Sequence, residues 1–143
     1  SHAHRQGSSC ALIVLDVDHF KAINDKYGHI TGDCALKAVV NMVTKCKRDG
    51  DILFRYGGEE FVVLMRDTEI EGAAVLAERI RNHIETHPCR CSATDVNIRV
   101  SLGVSALQKK DSPASLFARA DQALYSAKRH GRNQVIVARA AGH

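Results

Sequence analysis

The stretch RYGGEEF, Arg55 to Phe61, sets two glycines before two carboxylates in the middle of an apolar run, ILFRYGGEEFVVLM. Carboxylates brought together repel one another, and a divalent cation between them relieves that repulsion; oxygen ligands suit Mg2+ or Mn2+. A further acid, Asp16, stands next to last in ALIVLDV (Ala11 to Val17). Gly57 and Gly58 permit a tight turn, and without a Cβ they let a phosphate or ribose approach the backbone. Adjacent strand residues face opposite ways, so Glu59 and Glu60 are expected to divide their work, one on metal and one elsewhere. Alone, GGEE would equally describe an exposed hairpin tip with solvated acids.

The elements that position these residues follow from hydrophobic pattern. ALIVLDV is β-branched and apolar on both faces, the mark of a strand with a layer on either side. Leu36, Val39, Val40, Val43 and Cys46 recur at helical spacing over 34–46, and RDGD (Arg48 to Asp51) stops that helix. DILFRY and EEFVVLM are two β runs, and Gly57-Gly58 between them suits a type I′ hairpin turn. A second amphipathic helix is expected over 69–87, then a polar connection CRCSATD, a strand VNIRVSLGVSAL, a helix between Pro113 and Gly131, and a last strand NQVIVA. The order βαββαβ followed by αβ predicts an α+β fold: a ferredoxin-like unit with a central antiparallel sheet, extended by a helix and a strand. Its first strand and its hairpin should lie side by side, which makes Asp16 and Glu59 neighbours.

The chain of 143 residues is expected to form one domain, 11–138, between an N-terminal linker segment (1–10) and a short tail (139–143). No apolar run reaches the roughly 18–20 residues of a membrane span, so a soluble, cytoplasmic chain is expected. A net charge of +4 and a pI near 8.9 favour phosphate-bearing ligands, but the basic residues are spread out and no aromatics interleave with them, against nucleic-acid binding. Five cysteines without CxxC pairs read as reduced thiols; the CxC of Cys89 and Cys91 offers only two ligands for a metal or a redox response.

Three stretches together are more specific. LDVDHFKAINDKYGHITGD (Leu15 to Asp33), RYGGEEF and ADQALYSAKRHGRNQV (Ala120 to Val135) resemble, in order, the three signatures of the GGDEF domain, the diguanylate cyclase family, in its GGEEF variant. The resemblance spans about residues 11 to 138 and implies a palm-like fold related to polymerases and nucleotidyl cyclases. It also implies condensation of two GTP into cyclic di-GMP by two-metal phosphoryl transfer across a homodimer. Asp16, the Val17 carbonyl and Glu59 would hold the metals. Glu60 would assist hydroxyl deprotonation or bind metal. Backbone N–H groups of His19, Phe20 and Lys21 would take the β and γ phosphates at a helix N-terminus, and Lys128 and Arg132 would add cations. Gly58 would face the nucleotide. Lys128 and Arg132 also suit a helix C-terminus on electrostatic grounds alone, and Asp18 reads as a cap of the following turn.

Guanine presents N1–H and N2–H2 donors, which Asp33 can accept, while Asn24 can engage the remaining edge; adenine would meet Asp33 with an unprotonated N1. Asp33 as a helix N-cap and Asn24 as a turn residue are the alternatives. Arg48 and Asp51 match the family's RxxD inhibitory site, where cyclic di-GMP would bind with help from Arg79. Family members usually carry a D-x-L-T-x-L-x-N-R motif before the first strand, and the chain starts too late to contain it, which implies a piece of a longer protein with regulatory domains. The rival readings are a non-catalytic GTP or cyclic di-GMP binding module, and a cyclase for another purine dinucleotide, which Asp33 disfavours.

Overall fold

The structure, a computed structural model, describes residues 9–139. The linker and tail expected at the two ends fall almost wholly outside those residues. The chain runs β1 (Cys10–Val17), α1 (Phe20–Tyr27), α2 (His29–Cys46), β2 (Ile52–Arg55), β3 (Glu60–Arg66), α3 (Ile70–Thr86), β4 (Cys89–Cys91), β5 (Thr94–Val96), β6 (Val100–Ala106), α4 (Pro113–Arg129) and β7 (Val135–Val137). Five strands form one sheet in the order β2-β3-β1-β6-β7, antiparallel except for the β6–β7 edge, and β4–β5 form a separate hairpin. The predicted order is therefore present, with the hairpin set into the stretch expected to be a polar connection.

β1 is central because it can be buried on both sides. Ala11, Ile13, Leu15 and Val17 enter the core beneath α1, α2 and α3, while Leu12 and Val14 meet Leu116, Ala120 and Leu124 of α4 on the opposite face. Fully burying such side chains contributes roughly 1.5–3 kcal/mol each, so a strand apolar on alternate and intervening positions selects the middle of the sheet. The added helix α4 thus closes the second face. It starts at a Ser112–Ser115 capping box with Pro113 in the first turn. It lies so close to β6 that a Cβ at Gly103 would collide with Ala120 O and Leu124 N.

Three local expectations need correction. Gly28, at φ 92° and ψ 165°, breaks the backbone between α1 and α2, so α2 begins at His29 rather than near Cys34. Asp33 is then inside the helix and Asn24 inside α1; neither the N-cap nor the turn alternative holds. Gly57 and Gly58 do not take left-handed φ values, so the β2–β3 connection is not a type I′ turn. Strand pairing ends at Arg55↔Phe61, leaving a wider tip in which the Tyr56 and Gly57 amides both donate to Glu60 O at 2.8 and 3.3 Å. Two successive left-handed residues occur instead at Ser92 and Ala93, φ 49° and 67°, between β4 and β5. Last, the cysteines are not all thiols: Cys34 and Cys91 form a disulfide.

Candidate active site

Asp16, the next-to-last residue of β1, lies opposite Glu60 in register, and the Val17 amide donates to the Glu59 carbonyl at 3.2 Å. The hairpin thus brings both glutamates to the C-terminal end of β1, as expected, although the strand pair itself is Asp16 with Glu60. Asp16 alternates to the α4 face, where Lys128 donates to Oδ2 from the last turn of that helix. Burial pushes the Asp16 carboxyl up, Lys128 pulls it part of the way down, and the nearby Glu59 and Glu60 charges push it up again, leaving it at about 6. One ammonium therefore leaves this acidic end short of positive charge.

Among the described residues no group of three or more His, Cys, Asp or Glu side chains converges as metal ligands. The proposed set is of another kind, two carboxylates and the Val17 carbonyl. These are hard oxygen donors beside a buried, poorly neutralised carboxylate, and that chemistry fits Mg2+ or Mn2+ with water or phosphate completing the shell.

Asp18 does not cap α1. It is buried, accepts from Ser101 Oγ at 2.7 Å through Oδ1 and from the Asn133 backbone N–H at 3.0 Å through Oδ2. This clasp holds the turn after α4, where Arg132 and Asn133 take left-handed φ values of 62° and 47°. The Asn133 side chain is fixed as well, donating to Glu85 at 3.1 Å and accepting from Arg81 at 3.1 Å. Left-handed conformations cost non-glycine residues about 1–2 kcal/mol each, and the clasp offsets that cost. Lys128 reaches the end of β1 at Asp16, and Arg132 Nη1 donates to the Lys128 carbonyl at 3.4 Å. His19, at φ 54°, turns the chain into α1, whose first amides have no side-chain cap. Phe20 and Lys21 open that helix, with Lys21 paired to Asp25 in solvent.

α2 and β2 border a pocket of about 490 Å³ lined by Asp33, Leu36, Lys37, Val40, Asn41, Leu53, Phe54, Arg55 and Phe61. Asn24 reaches over Gly32, where a Cβ would strike its Oδ1, and this buried oxygen has no hydrogen-bond partner. Arg55 donates to the carbonyls of Gly57 (3.1 Å) and Gly58 (3.1 Å from Nε), bracing the hairpin tip. A Cβ at Gly58 would meet only open space.

Arg48 and Asp51 are brought together more tightly than their spacing alone requires. Asp51 receives the Arg48 backbone N–H at 3.0 Å and Nη2 at 2.8 Å, while Nη2 also reaches Thr68 Oγ1 (2.6 Å) and Arg66 O (3.1 Å). Burial pushes the Asp51 carboxyl up, but the side-chain and backbone bonds from Arg48 outweigh it and hold the group below the usual carboxylate value. Arg79 of α3 shares a hollow of about 220 Å³ with this pair. Asp18, Asn133, Arg55 and Thr68 were not assigned these tasks from sequence. Only Asn133 carried a local signal, its tolerance of left-handed backbone after a helix-ending glycine.

The geometry agrees with comparisons to known proteins. The chain matches the family described as diguanylate cyclase, GGDEF domain, over residues 1–134. It is 44% identical over 135 residues to the diguanylate cyclase DgcP of Pseudomonas aeruginosa, covering 94% of this chain and 20% of that protein. The active GGEEF domain of a diguanylate cyclase from Vibrio cholerae superposes with a TM-score of 0.88 at 37% identity, covering 98% of this chain and 89% of that one. The GGDEF domain of DgcB from Caulobacter crescentus, solved in complex with c-di-GMP, gives 0.87 at 34%, covering 95% and 81%. The chain spans between 20% and 39% of the length of the curated relatives it matches. With its three signatures arranged around one palm-like sheet and the family match over residues 1–134, the chain belongs to the GGDEF family.

Proposed function

We propose that this domain condenses two GTP into cyclic di-GMP, releasing pyrophosphate. The observation that carries the reading is Asp16: a buried carboxylate short of positive charge, with Lys128 from α4 and the GGEE tip meeting at it. Divalent cations bound there would neutralise the triphosphate and favour deprotonation of the attacking 3′-hydroxyl. Asp16, the Val17 carbonyl and Glu59 are the residues that would hold them, and Glu60 would accept the hydroxyl proton or join the ligand set. Lys128 and Arg132 would bind the β and γ phosphates together with the amides of His19, Phe20 and Lys21. Gly58 offers bare backbone to the nucleotide. Asp33 would accept from guanine N1–H and N2–H2, and Asn24 would engage the remaining edge.

One domain offers one nucleotide site, so closing the cyclic product requires two copies facing each other. Arg48, Asp51 and Arg79 form the surface on which the product would bind and restrain turnover. The relatives are longer than this chain, and regulatory domains of a cytoplasmic signalling protein would control the pairing. No helix among the described residues is long and apolar enough to cross a membrane.

Incubation at high protein concentration with GTP and Mg2+, followed by chromatography and mass spectrometry, tests the reading. Cyclic di-GMP and pyrophosphate are expected, with no mixed dinucleotide when ATP competes. Bound but unconverted GTP would instead mark a binding module.

A further inference from the structure

Three sulfurs lie together away from the nucleotide site. Cys34, on the second turn of α2, is bonded to Cys91 of β4 across 57 residues, and Cys89 Sγ lies 3.5 Å from Cys91 Sγ. With Cys91 in the bridge, the contact between the last two is a Cys89 S–H donating to sulfur. Cys89 and Cys91 are buried, whereas Cys34 is half-buried, which makes it the more accessible end of the bridge. The β4–β5 hairpin pairs with no strand of the main sheet, and the bridge is its covalent tie to α2. α2 in turn supplies Asp33, Leu36, Lys37, Val40 and Asn41 to the 490 Å³ pocket, and Asp33 is the immediate neighbour of Cys34.

We propose that Cys34 and Cys91, with Cys89 beside them, form a thiol–disulfide site through which dithiols and disulfides loosen or fix α2. A dithiol reductant attacks Cys34 Sγ as its thiolate; the sulfur–sulfur bond breaks and Cys91 leaves as a thiolate that takes up a proton. The second thiol of the reductant attacks the mixed disulfide, releasing Cys34 as a thiol and closing the reductant into its own disulfide. Two electrons and two protons pass from reductant to protein, and a small-molecule disulfide returns the bridge by the reverse steps. Cys89 does not displace Cys34 from Cys91 at rest, because burial pushes the Cys89 thiol up and only a thiolate attacks.

Closing a loop of this length restrains the unfolded chain and the α2–hairpin seam together, so opening it is expected to lower the melting temperature by on the order of 10 °C. It is also expected to weaken binding of a fluorescent GTP analogue about fivefold. That second effect rests on the guanine role proposed for Asp33.

The test begins with protein exposed to oxidised dithiothreitol, alkylated under denaturing conditions, digested and mapped by mass spectrometry. A Cys34–Cys91 peptide with Cys10, Cys46 and Cys89 alkylated is expected, as is the same map for Cys89→Ser. Five alkylated cysteines, or a link at another pair, would overturn the site. Native protein treated with reduced dithiothreitol should then show the melting shift and faster amide exchange over 31–37 and 89–96. An unchanged melting point and exchange pattern would equally overturn it. Equal GTP-analogue affinity in both redox states would remove the coupling to the pocket, whereas failure of both states to bind the analogue would count against the guanine reading and leave the peptide map to decide the bridge.

Discussion

Asp16, near the end of the central strand β1, and Asp51, just before the edge strand β2, are both buried and both paired with a cation, yet their acidities move in opposite directions. Asp51 collects a backbone N–H and two guanidinium nitrogens from one residue, Arg48, and its carboxyl is held below the usual range. Asp16 has one ammonium and two nearby glutamates, and burial wins, lifting it to about 6. A fork of donors from a single arginine completes a pair; a lone lysine facing three acids does not. The first is a completed ion pair, and the second is left short of positive charge, as the metal and triphosphate site proposed for it would require.

The largest expected effect comes from Asp16→Asn. It should lower GTP turnover by about 10³-fold or more, measured as cyclic di-GMP formed, with circular dichroism unchanged. Lys128→Met removes the partner but leaves the oxygen ligands, and about 10²-fold is expected in the same assay. Arg48→Ala should leave the initial rate alone while raising the concentration of cyclic di-GMP needed for half inhibition about tenfold or more. Inhibition unchanged in that variant would break the contrast, because Arg48–Asp51 would then be only a structural pair.

Acid titration sharpens the same contrast through opposite slopes. Asp51, with its folded value below the ordinary 3.8, contributes stability that is present above that value and lost as pH falls through the lowered one. Asp16, raised to about 6, has the reverse sign: in the absence of metal its charging lowers stability as pH climbs from 3.8 through about 6. Thermal melts without divalent cations should therefore show Asp16→Asn more stable than the parent at pH 7–8 and no longer so in strong acid, while Asp51→Asn should be less stable at neutral pH. The smallest effect is expected from Thr68→Val, about twofold in product inhibition, through loss of one hydrogen bond to Arg48.

Much of the fold was legible because β1 is a continuous apolar run, α3 carries helical periodicity, and Pro113 and Gly131 mark the ends of α4. Asp16 could be placed because it stands near the end of a strand that is buried on both faces. The hairpin was legible as a hairpin, but not its turn, since Arg55 bonds to the Gly57 and Gly58 carbonyls and sets a wider tip than glycine propensity suggests. Asp18 looked like a local cap because sequence shows only neighbours; its partners Ser101 and Asn133 lie 83 and 115 residues away. The Cys34–Cys91 bridge escaped for a similar reason, as spacing cannot show that α2 and β4 meet. Arg48 and Asp51 were recognisable as a pair, whereas Thr68 and Arg66 O, which complete the arginine's contacts, come from the far end of β3.

Manganese electron paramagnetic resonance with a non-hydrolysable GTP analogue, on the parent protein, Asp16→Asn and Asp51→Asn, addresses the central contrast most directly. Bound Mn2+ is expected in the parent and in Asp51→Asn and should be lost or weakened at least about tenfold in Asp16→Asn. Equal Mn2+ binding in all three proteins would contradict the account, since the shortage of positive charge at Asp16 would then have no bearing on the metal.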